Sequence, residues 1–175
     1  MDHPLTRLVA LDTETTGFSN SDKIVEIACI EIINGEIGSS FHRYVNPIIE
    51  IPDRAFDVHG LSEEFLNDKP KFKAVADDLL GFIGDSTLVI HNASYDLRMI
   101  NNELKSIGYP ALNNEAICTL KSAKKSMKEL VESKSLDSLC DYFEIDRSKR
   151  ITHGALVDTE LLADLFITMD QKGYL

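Results

Sequence analysis

The sequence predicts an α/β fold, a mixed sheet that opens with three antiparallel strands and then alternates with helices. Three observations carry that expectation. Leu8 to Glu14 alternates with period 2, Ile24 to Ile33 is an Ile- and Val-rich run, and Asn34-Gly35 supplies a tight turn after it. Beyond Pro70, apolar residues recur at helical spacing.

In strand one, Leu8, Ala10, Asp12 and Glu14 share one face, Val9, Leu11 and Thr13 share the other, and Thr15-Thr16-Gly17 ends the run. Strand two is Ile24 to Ile33, and strand three returns over Phe41 to Val45. A helix over Lys71 to Ile83 gathers Phe72, Val75, Ala76, Leu79, Leu80 and Ile83. Thr87 to His91 reads as a short buried strand, and Ser94 to Ile107 as a helix with Met99, Ile100, Leu104 and Ile107 on one side. Ala116 to Thr119 is a further strand, Ser135 caps a helix carrying Leu136, Leu139, Cys140 and Phe143, and a last helix covers Ala155 to Met169. The expected order is βββ-α-β-α-β-α-α.

Composition bounds the function. A chain of 175 residues suits a single domain with a packed core. Its 18 Lys and Arg stand against 29 Asp and Glu, a net charge of −11, which excludes a protein that grips nucleic acid through a broad basic field. No apolar run approaches the ~20 residues of a membrane span. Asp12 and Glu14 interrupt the start, so no secretory signal is read, and a cytoplasmic protein with no membrane contact is expected. Cys29, Cys118 and Cys140 are scattered, which suggests neither a zinc site nor a disulfide framework but free, buried thiols. Lys121, Lys124, Lys125 and Lys128 read as a solvated helix face.

The informative feature is where four acids fall. Asp12 and Glu14 lie on the face of strand one that carries Leu8 and Ala10. Asp96 shares a helix face with Met99, Ile100 and Leu104, and Asp158 with Leu161, Leu162, Leu165 and Phe166. Each acid sits on a side that should be buried, and an unpaired buried carboxylate costs several kcal/mol or takes up a proton. Basic partners are few, with Arg98 the nearest in sequence to Asp96. Hard divalent cations prefer oxygen ligands, and four carboxylates have the composition of a two-metal site acting on a phosphodiester. Taken singly, Asp96 could cap its helix and Asp158 could be an acid favoured by the helix dipole. His153, five residues before Asp158, has an unperturbed pKa of ~6.5 and suits proton transfer near neutrality.

Asp12-Thr13-Glu14-Thr15-Thr16-Gly17, His91-Asn92-Ala93-Ser94-Tyr95-Asp96 and His153-Gly154-Ala155-Leu156-Val157-Asp158 resemble, in that order, the three exonuclease motifs of the DEDDh 3′→5′ exonucleases. The likeness is strongest to the epsilon proofreading subunits of bacterial DNA polymerase III. It extends through Val58-His59-Gly60-Leu61, Leu136-Asp137 and Asp146-Arg147-Ser148-Lys149-Arg150, nearly the whole chain. The resemblance implies a ribonuclease H-like fold with a five-stranded sheet. It implies Asp12, Glu14, Asp96 and Asp158 as ligands of two Mg²⁺ or Mn²⁺ ions and His153 as general base. It implies a terminal-nucleotide pocket lined by the Val58-His59-Gly60-Leu61 loop, with Thr13, Glu14, Asn92 and Tyr95 beside it. Arg54 departs from the pattern, since many relatives carry Glu there.

The expected activity is removal of 5′-mononucleotides from the 3′ end of single-stranded or mispaired DNA, by a single exonuclease domain over residues 1–175. The resemblance implies as partners a frayed DNA 3′ end, a polymerase III catalytic subunit and other replisome subunits. The chain stops at Leu175, directly after the last expected helix, without the flexible polymerase-binding tail usual in such subunits. Two rival readings remain open at this point: an RNA-directed DEDDh exonuclease of the oligoribonuclease or ribonuclease T kind, and a non-catalytic scaffold that binds a 3′ end.

Overall fold

The computed structural model describes residues 7–175. Five strands form one mixed sheet in the order β3-β2-β1-β4-β5: β1 Arg7–Thr15, β2 Ile24–Ile33, β3 Glu36–Tyr44, β4 Thr87–Ile90 and β5 Ala116–Cys118. β1, β2 and β3 pair antiparallel, while β4 runs parallel to β1 and β5 parallel to β4. The three-strand opening follows from the β2–β3 turn, where Asn34 and Gly35 adopt φ of 54° and 81°, the left-handed pair that a two-residue hairpin needs.

Period-2 alternation in β1 divides the core between the two faces of the sheet. Val9 and Leu11 point to the side covered by α3 (Phe72–Ile83) and α4 (Ala93–Ser106), where Phe72, Val75, Leu79, Met99, Ile100 and Leu104 are buried. Ala10 points to the other side, where Ile30, Ile32 and Val89 meet Leu162, Ala163 and Phe166 of α7 (Ala155–Gln171). The parity that puts Ala10 on the α7 side also aims Asp12 and Glu14 there.

The strand order places the site. The chain leaves β3 at one edge and re-enters beside β1 on its far side, so the crossover point lies between β1 and β4. Ligands in open α/β sheets bind outside the carboxyl ends of strands at such a point. The β1–β4 ladder covers only Leu8–Ala10 against Thr87–Val89, so β1 runs on past β4 with that edge unpaired. Asp12, Thr13 and Glu14 occupy the overhang.

Several expectations need correction. β3 begins at Glu36, five residues before the expected Phe41, because Glu36–Ser40 is an exposed edge with no buried residue to mark alternation. Two short helices, α1 (Asp53–His59) and α2 (Glu63–Leu66), lie between β3 and α3, where the sequence analysis places only the Val58–Leu61 loop. Val58 and His59 therefore close a helix instead of sitting in a loop, and Gly60 at φ 70° is its left-handed cap. A further helix, α5 (Thr119–Ser126), follows β5 directly, and its Lys121, Lys124 and Lys125 are exposed as expected of a solvated face. α6 (Leu136–Tyr142) starts as expected at Ser135, whose hydroxyl accepts from the Ser138 N–H at 3.2 Å. Cys29 and Cys140 are buried, Cys118 is half-buried, and all three are free. No helix among the described residues is long and apolar enough to cross a membrane.

Candidate active site

The four acids meet at the overhanging end of β1, reached from both faces of the sheet. Asp12 and Glu14 come from the strand, Asp96 from the first turn of α4, and Asp158 from the first turn of α7. Asp96 and Asp158 are buried, at 2% and 4% exposure. Asp96 reaches across the sheet end because Thr13 has no ladder partner on the β4 side. Its Oδ1 accepts from the Thr13 N–H at 3.2 Å and from the Thr13 hydroxyl at 2.7 Å. The bond satisfies a strand donor that would otherwise be orphaned and fixes the carboxylate between α4 and β1.

Burial, reinforced at Asp12 and Glu14 by neighbouring like charge, disfavours the charged forms. Burial, then the nearby charges of Asp96, Glu14, Asp158 and Glu26, hold the Asp12 carboxyl well above its ordinary range. Burial, with Asp158 and Glu26 next, raises Glu14 to about 8, against which Arg150 works. Burial raises Asp96 to about 7 despite the Thr13 hydrogen bonds. A cluster that resists ionisation at neutral pH is one in which added positive charge is strongly favoured. Its donor set suits a hard divalent cation: carboxylate oxygens, with Glu14, His153 and Asp158 each offering one atom within 4.8 Å of the others. Asp158 is the member of the cluster that already has a positive partner, with Oδ1 2.6 Å from Arg150 Nε.

His153 stands on the loop before α7, half-exposed, and its backbone N–H donates to the Val58 carbonyl at 3.2 Å. Its Nδ1 lies 3.1 Å from Asp158 Oδ2. The start of α7 is anchored by an acid that the sequence analysis does not single out. Glu26, the third residue of β2 and directly opposite Glu14, is buried and accepts the Ala155 N–H at 3.0 Å, while His42 Nε2 holds its other oxygen at 2.7 Å. The signal was available, since an acid inside an Ile-rich run is as misplaced as Asp12.

Two cavities flank the cluster. One of about 320 Å³ is lined by Glu14, Phe18, Arg54, Val58, His59 and Tyr95 among others. The other, of about 570 Å³, runs past Tyr44, His59, Leu61, Phe65 and His153. His59 forms part of both walls. Its Nδ1 accepts the Leu61 N–H at 3.0 Å, which leaves the proton on Nε2, and that buried nitrogen has no partner among the described residues. Burial lowers its pKa below that of a free imidazole. Phe18 was not expected: 74% exposed, its ring sits 5.6 Å from that of Tyr95. The Tyr95 hydroxyl meets Thr15 and donates to the Gly17 carbonyl at 2.9 Å, fixing the loop that presents Phe18. A Cβ at Gly17 would lie 2.7 Å from the Asp22 carboxylate that pins Ser19 and Thr16, and would have to displace it.

The remaining expectations divide. Thr13, Val58, His59, Leu61 and Tyr95 all line the cluster or its cavities. Asn92 instead caps α4 in a left-handed conformation, exposed, with Oδ1 accepting from the Ser94 hydroxyl at 3.3 Å. Arg98 is no partner of Asp96: it donates to the Phe18 carbonyl at 2.9 Å and lies over the Tyr95 ring. The cation that does touch an acid of the cluster is Arg150, on Asp158.

The chain is similar to known nucleases over nearly its whole length. The exonuclease family RNase_T matches residues 9–166. A DNA polymerase III subunit epsilon of Rickettsia prowazekii (strain Madrid E) is 44% identical over 171 residues, covering 93% of this chain and 73% of the relative. Exonuclease X, solved in complex with 5′ overhanging duplex DNA, superposes at TM-score 0.75 with 29% identity, covering 95% of this chain and 93% of that one. The nuclease domain of 3′hExo, a DEDDh family member bound to rAMP, shares the fold at TM-score 0.84 and 18% identity, with coverage of 99% and 96%. Strand order, acid cluster and these likenesses converge: the chain belongs to the RNase_T exonucleases, with the DNA polymerase III epsilon subunits among its relatives.

Proposed function

We propose that the protein removes 5′-mononucleotides from the 3′ end of single-stranded or mispaired DNA as the proofreading exonuclease of a replicative polymerase. The observation that carries this reading is the meeting of Asp12, Glu14, Asp96 and Asp158 with His153 at one strand end, beside an apolar cavity. Exonucleases of this family depend on divalent metal. Here the four acids would hold two ions, Mg²⁺ or Mn²⁺, which when bound lower the pKa of water and stabilise charge on the phosphate and the leaving oxygen.

The chain's own groups do the rest. When His153 carries its proton on Nδ1 and donates it to Asp158 Oδ2, Nε2 keeps its lone pair and takes the proton of the attacking water. Asp96 holds the Thr13 N–H and hydroxyl, so the β1 overhang that carries Asp12 and Glu14 is fixed in place before substrate arrives. Phe18, Val58 and Tyr95 offer an apolar wall on which the terminal base stacks, worth ~1–3 kcal/mol. His59 forms part of the wall of both cavities, and Leu61 lines the second, where the next nucleotide would continue.

The acidic surface fits this substrate. An enzyme that holds two or three nucleotides by stacking needs few phosphate contacts, and its grip on longer DNA is supplied by a polymerase subunit. A mispaired end frays more cheaply than a paired one, so discrimination begins in the substrate. The test is digestion of a 3′-labelled mismatched primer with Mg²⁺, Mn²⁺ or chelator. The expected products are 5′-mononucleotides, formed faster from the mismatched end and not formed in chelator. Equal or faster digestion of a matched RNA would overturn the DNA assignment, and no hydrolysis with either ion would overturn the reaction.

A further inference from the structure

Two sequence stretches, Leu136-Asp137 and Asp146 to Arg150, have so far no part in the reaction. The structure joins them in a chain of charges that ends on the acid cluster. Asp141 holds Arg147 through two hydrogen bonds of 2.9 Å, and Arg147 Nη1 lies 3.3 Å from Asp137. Asp137, on α6, pairs with Arg150 Nη1. The Arg150 side chain is only 6% exposed, and its other face meets Asp158: Nε lies 2.6 Å from Oδ1, and Nη2 donates to Oδ2 at 3.0 Å. The same Nη2 lies 2.5 Å from His153 Nδ1.

We propose that Arg150, held from behind by Asp137, is a positioning residue that aligns Asp158 and His153 and supplies the cluster with a built-in positive charge, against which an incoming divalent cation must compete. The inference rests on the functional reading above. Its physical basis is geometric. Arg150 faces both oxygens of Asp158, so an ion can take that carboxylate only by sharing it with a guanidinium or moving the guanidinium towards Asp137. Arg150 meets the carboxylate at two points, an Nη2 hydrogen bond to Oδ2 and the Nε contact with Oδ1, which a single Lys ammonium does not reproduce. His153 Nδ1 has two possible partners here. It accepts from Nη2 when its proton is on Nε2, and it donates to Asp158 when its proton is on Nδ1. Only the second arrangement leaves Nε2 able to accept a proton, so an ion that draws Arg150 off His153 also frees the base.

The inference predicts opposite movements of two quantities that a merely structural arginine would move together. In Arg150→Gln, calorimetric titration with Mn²⁺ alone should show about tenfold tighter binding than in the unmodified protein, while kcat on a single-stranded oligonucleotide falls at least tenfold. In Asp137→Asn, which leaves Asp158 as the carboxylate facing Arg150, Mn²⁺ should bind at least threefold more weakly. Arg150→Lys should recover part of the Mn²⁺ competition but little of kcat. Unchanged or weaker Mn²⁺ binding in a folded Arg150→Gln overturns the proposal. Should that variant fail to fold by circular dichroism, Asp137→Asn decides alone, and Mn²⁺ binding equal to or tighter than that of the unmodified protein overturns the proposal. Absence of Mn²⁺ binding and hydrolysis in the unmodified protein would instead strike the functional reading itself.

Discussion

Neutralising Glu14 should make the metal-free protein more stable, by an amount that grows with pH. Glu14 ionises near 4.5 in an unfolded chain and at about 8 in the folded one. Between those values the folded state keeps a proton that the unfolded state has lost, so stability is full below pH 4.5 and falls as pH rises through 8. The penalty is under about 1 kcal/mol at pH 5 and about 4 kcal/mol at pH 8, taking 1.36 kcal/mol per pKa unit. That is an upper bound, since the neighbouring acids share the cost. In Glu14→Gln the penalty disappears. For a chain of 175 residues the gain at pH 8 corresponds to a rise in Tm on the order of 10 °C. Thermal unfolding followed by circular dichroism in chelator, at pH 5 and pH 8, measures it. Adding Mn²⁺ at pH 8 should narrow the gap, because a cation relieves in the unmodified protein what the substitution removes. A Gln variant no more stable at pH 8 than at pH 5, relative to the unmodified protein, would refute the reasoning that burial among like charges keeps Glu14 protonated in the folded state.

Other outcomes follow from single contacts. His153→Ala should lower kcat by ~10²-fold or more while Mn²⁺ affinity, read by calorimetry, changes by no more than a few-fold. Phe18→Ala should raise KM for a single-stranded oligonucleotide roughly 5- to 100-fold, the equivalent of one lost stacking surface, with kcat little changed. Thr13→Val removes a hydroxyl donor and leaves a buried Asp96 oxygen with one bond fewer, at ~1–3 kcal/mol, so Tm in chelator should drop by several degrees.

The acids were legible because burial makes their position costly. Asp12 shares parity with Ala10, Asp96 with Met99 and Leu104, and Asp158 with Leu161 and Leu165, and all these positions face inward. The same reasoning should have singled out Glu26, which was absorbed into an Ile-rich strand instead. Phe18 was hidden because an aromatic in a turn carries no periodic signal, and only the Tyr95 ring beside it shows its place. The arginine on the cluster could not be identified from nearness in sequence: Arg98 is two residues from Asp96 yet points to the Gly17–Asn20 loop, while Arg150 reaches Asp158 across a turn. In the fold, long periodic elements were visible. The short helices α1, α2 and α5 span 7, 4 and 8 residues, too few turns for a periodic stripe to stand out, so the sequence around Val58 and His59 carries no helical signal.

The central claim is that the carboxylates at the end of β1 exist to gather cations. Crystals grown with Mn²⁺ and a 5′-mononucleotide, measured at the manganese absorption edge, test it most directly. The account predicts two anomalous peaks ~3.5–4 Å apart, both within ligand distance of Asp12, with Glu14, Asp96 and Asp158 completing the shells directly or through water. Ion-free carboxylates under saturating Mn²⁺, or peaks held by acids elsewhere on the surface, would contradict it.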